Sequence, residues 1–255
     1  MSEFHPFETR AGSGETPILL ICDHAANTVP ACIGGGSLGL SDADMNRHIA
    51  FDIGARGVTL AMADILSAPA VLSRFSRLVI DPNRGEDDPT LVMRLYDGTL
   101  IPANRHADAT EITRRKTSFH RPYHQALADT IGGMQADGID PVLVSIHTFT
   151  PQLRGRPPRP WHIGILSADD RRVADPLLAR LGSEPDIVVG DNEPYVGKLT
   201  GDCMDQHGLQ RGLAHVLIEI RNDLVETSVG QQKWAAVLSR ALLDVIASPE
   251  IKEAI

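Results

Sequence analysis

Residues 17–30 read PILLICDHAANTVP, a five-residue apolar run that stops at the pair Asp23-His24. An apolar run this short, bounded by a proline and a polar pair, reads as a buried strand rather than a helix. The same form recurs along the chain. Strands are predicted over residues 18–22, 70–72, 78–80, 142–146, 163–166, 187–189 and 215–220, and helices over 42–66, 119–136, 169–181 and 231–246. Gly132-Gly133 and Ser248-Pro249 supply helix stops. Strands interleaved with helices imply an α/β protein, a three-layer α/β/α sandwich around a mixed, largely parallel sheet. Residues 85–116 and the stretch PQLRGRPPRP at 151–160 read as surface loops that do not divide the chain, so residues 1–255 are expected to form a single domain.

The 255 residues are 42% hydrophobic and 22% charged, enough apolar material for a sizeable core. A formal charge of −9 gives no general attraction for phosphate backbones or anionic lipid, which argues against nucleic acid as a partner. No stretch approaches eighteen apolar residues, and the start, MSEFHPFETR, lacks the apolar run of a signal peptide, so no membrane association is expected. Cys22, Cys32 and Cys203 form no CxxC pair and fit a reducing compartment, which makes a cytoplasmic location the expectation. The one unusual count is ten histidines beside eleven aromatic residues (two Trp, three Tyr, six Phe). Histidine is the usual metal ligand and proton carrier near neutral pH.

Polar residues sit where the apolar runs end. One run ends in Asp23-His24, another in Asp81 within VIDPNR (79–84), a third, VLVSIH, in His147, and a fourth, HVLIEIR (215–221), carries Glu219 and Arg221. In open α/β sheets ligands bind beyond the carboxyl ends of the strands. His24 and His147, from different strands, can share one ion, and neutral imidazole suits zinc; otherwise each is an imidazole satisfied locally. Glu219 is either ion-paired with Arg221, on the same strand face, or a general base with a raised pKa. Arg84 either pairs with Asp87 or Asp88 or offers a planar fork to a carboxylate. His120 and His124 stand i, i+4, as do His48 and Asp52, which either bond each other or send Asp52 to a metal. Tyr195 in NEPYVG (192–197) either caps a loop or donates to a developing oxyanion. The arginines of the 151–160 loop, Arg154, Arg156 and Arg159, lend positive potential for an acidic substrate. No G-x-S-x-G occurs, which weakens a serine-hydrolase reading.

Taken in order, DHAANTVP, SRLVIDPNR, RPYH, SIHTFTP, NEPYVG and GLAHVLIEIRNDL resemble the N-formylglutamate amidohydrolase family over about residues 17–235. More distantly the pattern is similar to zinc carboxypeptidases and aspartoacylases. The resemblance implies a phosphorylase/hydrolase-like α/β/α fold and metal-dependent hydrolysis of a linear amide in a small, acidic N-acyl amino acid. It implies one divalent ion, zinc, on His24, His147 and a third ligand. The His-x-x-Glu pair of the distant relatives reads His24-Ala-Ala-Asn27 here, which leaves Asp52 or Asn27 for that third position. Glu219 is implied as catalytic base, with Tyr195 or His124 at the oxyanion. Asn83 and Arg84 are implied as the carboxylate clamp, with Arg221 and Asn27 also on the substrate side. The rival expectations are a zinc carboxypeptidase or deacylase for another acyl amino acid or short peptide, and a binding protein that kept the pocket without hydrolysis.

Overall fold

The computed structural model describes residues 4–252. Its strands are β1 (Phe7–Arg10), β2 (Ile18–Cys22), β3 (Ala70–Ser73), the short hairpin β4 (Leu95–Tyr96) and β5 (Thr99–Leu100), β6 (Val142–Phe149), β7 (Ile163–Leu166), β8 (Val189–Asp191) and β9 (His215–Arg221). Its helices are α1 (Asp42–Met45), α2 (Ala55–Leu66), α3 (Ala109–Arg115), α4 (Arg121–Ala136), α5 (Ala174–Gly182), α6 (Cys203–His207), α7 (Ser228–Ile246) and α8 (Pro249–Lys252). Seven strands form one mixed sheet in the order β1-β3-β2-β6-β9-β7-β8. The central strands β3, β2, β6 and β9 are mutually parallel, β1 and β7 join antiparallel, and β8 pairs parallel with β7. This is the expected α/β sandwich.

Strand alternation sorts the side chains between the two faces. Ile18, Leu20 and Cys22 of β2, Val142, Val144 and Ile146 of β6, and Val216, Ile218 and Ile220 of β9 pack under α2, α5 and α7. Leu19 and Ile21, Leu143, and Leu217 face the other way, onto α4 and α6. Continuing the alternation places Ser145, His147 and Glu219 on the α4 side. In the β6–β9 register His147 lies directly opposite Glu219. A strand two residues shorter, or slipped by one, would separate them.

Three expectations are corrected. The helix expected over residues 42–66 is two helices, α1 and α2, separated by turns. The break falls at Gly54, whose φ of +84° is left-handed and whose missing Cβ admits Val225; a Cβ there would stand 2.7 Å from Val225 Cγ2. Residues 78–80 are turn rather than strand, because side chains take their carbonyls: Asn104 Nδ2 donates to the Leu78 carbonyl and Arg115 Nη1 to that of Val79, each at 2.7 Å. Residues 85–116 are no bare loop either. They hold the β4–β5 hairpin and α3 and close over a third apolar cluster that includes Ile49, Phe75, Leu78, Ile101 and Phe119. The strand β1 and the helix α6 were not foreseen; the first is half exposed and the second only five residues long.

Arg115 is the strut of this excursion. It is 2% exposed and donates to the Val79 carbonyl, Asn104 Oδ1 and Glu111 Oε1 at 2.7, 2.7 and 2.8 Å. Replacing it with Ala leaves two buried acceptors, the Val79 carbonyl and Asn104 Oδ1, without this donor, while Glu111 keeps Arg114, so Arg115→Ala should lower the unfolding free energy by about 3 kcal/mol. Chemical denaturation measures this, and a loss under about 1 kcal/mol would show that residues 78–81 are held by something else.

Candidate functional site

The chain leaves β2 at Asp23-His24, and both side chains are buried. Asp23 Oδ1 accepts from the Tyr123 hydroxyl of α4, and its Oδ2 from the Ser145 hydroxyl and His147 Nε2, all at 2.9 Å. His24 Nε2 lies 2.7 Å from Asp81 Oδ1. That carboxylate also accepts the Asn83 amide at 2.9 Å and a two-pronged contact from Arg77, Nε at 3.1 Å and Nη2 at 2.7 Å. Burial alone would raise both aspartates. For Asp23 the bonds and charges of His147 and His24 with the Ser145 hydroxyl, and for Asp81 the charges of Arg77, His24 and Arg84, together outweigh it and hold the carboxyl well below the usual range.

The third carboxylate, Asp52, arrives from the turn between α1 and α2. Its amide donates to the His24 carbonyl at 3.0 Å, and Thr148 N–H donates to its Oδ2 at 3.2 Å. That same oxygen stands 2.8 Å from His147 Nδ1 and 3.4 Å from His24 Nδ1. One ligand atom each from His24, Asp52 and His147 lies within 4.8 Å of the others. Both imidazoles turn Nδ1 toward this centre and Nε2 toward a buried carboxylate, which is how metal-ligating histidines are oriented and their tautomers set. His24 Nδ1 is buried without a hydrogen-bond partner. The residues present therefore fit a divalent metal, and it is Asp52, not Asn27, whose carboxylate lies beside the two imidazoles.

Beside this group lies a cavity of about 290 Å³ whose wall includes His24, Asp52, His147, Glu219, Asn83, Arg84 and Tyr195. Glu219 Oε2 is buried with no partner, and burial raises the carboxyl from its ordinary 4.5 to about 8, with Asp52 adding to the rise and His147 opposing it. No Glu219–Arg221 pair forms. Gly164, the register partner of Glu219 on β7, lacks the Cβ that would collide with the Glu193 carbonyl, so the 192–197 loop can close over the site. In that loop Tyr195 lines the cavity, and its hydroxyl accepts from Arg159 Nη1 at 3.2 Å. Arg84 donates to Thr90 Oγ1 and the Asn83 carbonyl rather than pairing with Asp87 or Asp88.

Three sequence-derived candidates lie elsewhere. The Asn27 amide donates to the Met45 carbonyl and Asn46 Oδ1, and Arg221 pairs with Asp223 at 2.8 Å; neither lines the cavity. His124 sits behind the wall in a row of three rings, with centroids 4.4 Å from His120 and 5.1 Å from His207. Its Nε2 donates to the Pro82 carbonyl, as His120 Nε2 does to that of Arg84, so His124 Nδ1 accepts from His207 Nε2 at 2.8 Å. The row thus pins the backbone on either side of Asn83. Sequence reasoning assigned no role to Arg77 or Asp202, both on the cavity wall. Asp202 opens the short helix α6 as its cap, and only the residues around it mark it as more than that.

The family model for N-formylglutamate amidohydrolase matches residues 16–226. No curated protein matches the sequence. Among solved structures, gene product Atu2144 from Agrobacterium tumefaciens is 34% identical with a TM-score of 0.91, the similarity covering 97% of each chain. N-formylglutamate amidohydrolase from Ralstonia eutropha JMP134 is 22% identical with a TM-score of 0.61 over 98% of this chain and 97% of that one, and shares the fold. Among the described residues no helix is long and apolar enough to cross a membrane.

Burial lowers His124 to about 3 and His207 to about 4 from their ordinary 6.5, so the unfolded chain takes up protons there that the folded chain refuses. Stability should therefore fall as pH drops from 6.5 toward 4, each histidine contributing up to about 1.4 kcal/mol per pH unit. In His207→Gln the slope of unfolding free energy against pH in that window should shrink by up to one proton; an unchanged slope would refute the assignment.

The match over most of its length makes this chain a member of the N-formylglutamate amidohydrolase family, a family of amide hydrolases.

Proposed function

We propose that the protein is a zinc-dependent amidohydrolase that cleaves a linear amide in a small N-acyl amino acid of the N-formylglutamate kind. The observation that carries the reading is the orientation of two buried imidazoles, each held by a carboxylate at Nε2 and turned by Nδ1 toward Asp52, beside an unpartnered buried glutamate. In this reading His24, Asp52 and His147 hold the ion. Zinc in such a site polarises an amide carbonyl and makes water easier to deprotonate.

The chain's own groups do the rest. Glu219 takes the proton of the attacking water at Oε2 and passes it to the leaving nitrogen, a task suited to a carboxylate whose burial has raised its affinity for protons. Arg84 and Asn83 fix the substrate carboxylate, with the histidine row behind them holding the Pro82 and Arg84 carbonyls. The Tyr195 hydroxyl faces the place where a carbonyl oxygen gains charge. In the geometry described, His124 acts by holding this backbone rather than by touching substrate.

Glu219→Gln should lower kcat by a factor of about 10² to 10⁴ while the fold and metal content persist. The base must be ionised, so kcat/KM should rise with pH along a limb whose apparent pKa lies between 4.5 and about 8, the bound cation drawing it down within that range. A Gln variant that turns over formylated amino acids normally would rule out this base. Metal binding needs His147 Nδ1 without its proton, so zinc affinity should increase with pH and calorimetry in buffers of different ionisation enthalpy should register proton release. Saturating zinc at about 100 times its Kd should stabilise the fold by about 2.7 kcal/mol, an effect absent in His24→Asn.

A further inference from the structure

The cavity wall carries two cations among the described residues, Arg77 and Arg84. Arg77 is already neutralised, by Asp81 at 2.7 Å and by Asp52 at 3.5 Å. Arg84 bonds only neutral acceptors, Thr90 Oγ1 and the Asn83 carbonyl, and remains the one guanidinium on the wall without an ion pair. Arg159 stands outside the wall, its guanidinium over the Phe149 and Tyr195 rings at 5.6 and 5.0 Å and its Nη1 bonded to the Thr150 carbonyl and the Tyr195 hydroxyl. The cavity is therefore equipped for one carboxylate.

Its remaining surface disfavours a second. Asp202 lines the same cavity beside the clamp: the next residue, Cys203, gives its amide to Asn83 Oδ1 at 3.1 Å, so the acid and the clamp are tied together. Burial raises Asp202 to about 6, which still leaves it largely ionised at pH 7. Part of the remaining lining is apolar. Leu166 and Leu217 are register partners on β7 and β9, Leu217 lies one side-chain step from Glu219 on the same face, and Leu199 faces the cavity from the loop before α6. A carboxylate placed against these leucines loses its water and gains no partner.

On the reading of this site as an amide hydrolase, we infer that its preferred substrate is an N-acyl amino acid bearing a single carboxylate, held by Arg84, and an apolar side chain lying on Leu166, Leu199 and Leu217. Within that class a dicarboxylate such as N-formylglutamate is then bound less tightly than a monocarboxylate. Asp202 and the leucines determine the discrimination.

The test uses zinc-loaded Glu219→Gln protein, which binds without turnover, titrated calorimetrically with N-formyl-L-leucine and N-formyl-L-glutamate. The leucine compound should bind at least tenfold more tightly, and the wild-type enzyme should show the same order in kcat/KM. Adding Asp202→Asn, which keeps a good helix cap, should tighten both compounds, the glutamate compound more because it carries two carboxylates, and so narrow the gap several-fold. Equal or tighter binding of N-formylglutamate, or a gap unmoved by Asp202→Asn, overturns the selectivity and leaves the amide-hydrolase reading in place. If neither compound binds and neither is hydrolysed by wild type, both fail.

Discussion

Two buried hydrogen bonds, Asp81 to His24 and Asp23 to His147, set the geometry on which the site depends. A carboxylate removed from water is tolerated only when its oxygens are filled, and both of these are. Asp81 accepts from an imidazole, a backbone amide and two nitrogens of Arg77. Asp23 accepts from a tyrosine, a serine and an imidazole. Rotating either imidazole would empty one of these positions. The ring directions are consequently fixed by charge burial in the fold, and the two Nδ1 atoms converge on Asp52.

That constraint reaches outward through segments that are neither helix nor strand. Asp81 belongs to a turn whose carbonyls are taken by Asn104 and Arg115, and the next carbonyls, of Pro82 and Arg84, are taken by His124 and His120. Asn83 and Arg84 are thus held from behind by His124 of α4 and by His120 of the π-helical turn that precedes it. On the opposite wall the support is the sheet itself. His147 and Glu219 face each other in parallel register, and Gly164 on the next strand leaves the space into which the Glu193 carbonyl fits. Half of the site is therefore as rigid as a central strand pair, and the other half as rigid as a few buried polar struts.

The difference shows in what could be read from sequence. His24, His147 and Glu219 were legible because strand period and the carboxyl-end rule depend on short-range pattern alone. Asn83 and Arg84 were legible because they follow an apolar run, although that run is a turn. Asp52 was selected, but from a helix that does not exist there. Residues 42–66 have helical periodicity and no proline, and the break rests on Gly54 meeting Val225, a contact 171 positions away in sequence. Asn27 and Arg221 show the converse failure: spacing and alternation gave a plausible face, while neighbouring groups, the Met45 carbonyl and Asp223, took the side chains elsewhere. His124 lies on the correct side of α4 and one layer too deep, since periodicity carries direction and no depth.

Charge gives the last step. Asp52 and Asp81 share a single fully engaged guanidinium, Arg77, and Asp23 and Glu219 lie close by against His147. The groups with freedom to respond hold on to protons. His147 is raised well above its ordinary value, its bonds to Asp23 and Asp52 outweighing its burial, and Glu219 is raised by burial with Asp52 adding to it. A base and an acid that both retain protons, side by side, mark a place deficient in positive charge. The substrate's carboxylate has to be met outside this zone, and Arg84 is the wall cation that no carboxylate has claimed. In a chain of net charge −9, the proposed cation centre and the proposed anion clamp are thus separated within one cavity, and an amide spanning them would place its scissile carbonyl at the first and its carboxylate at the second.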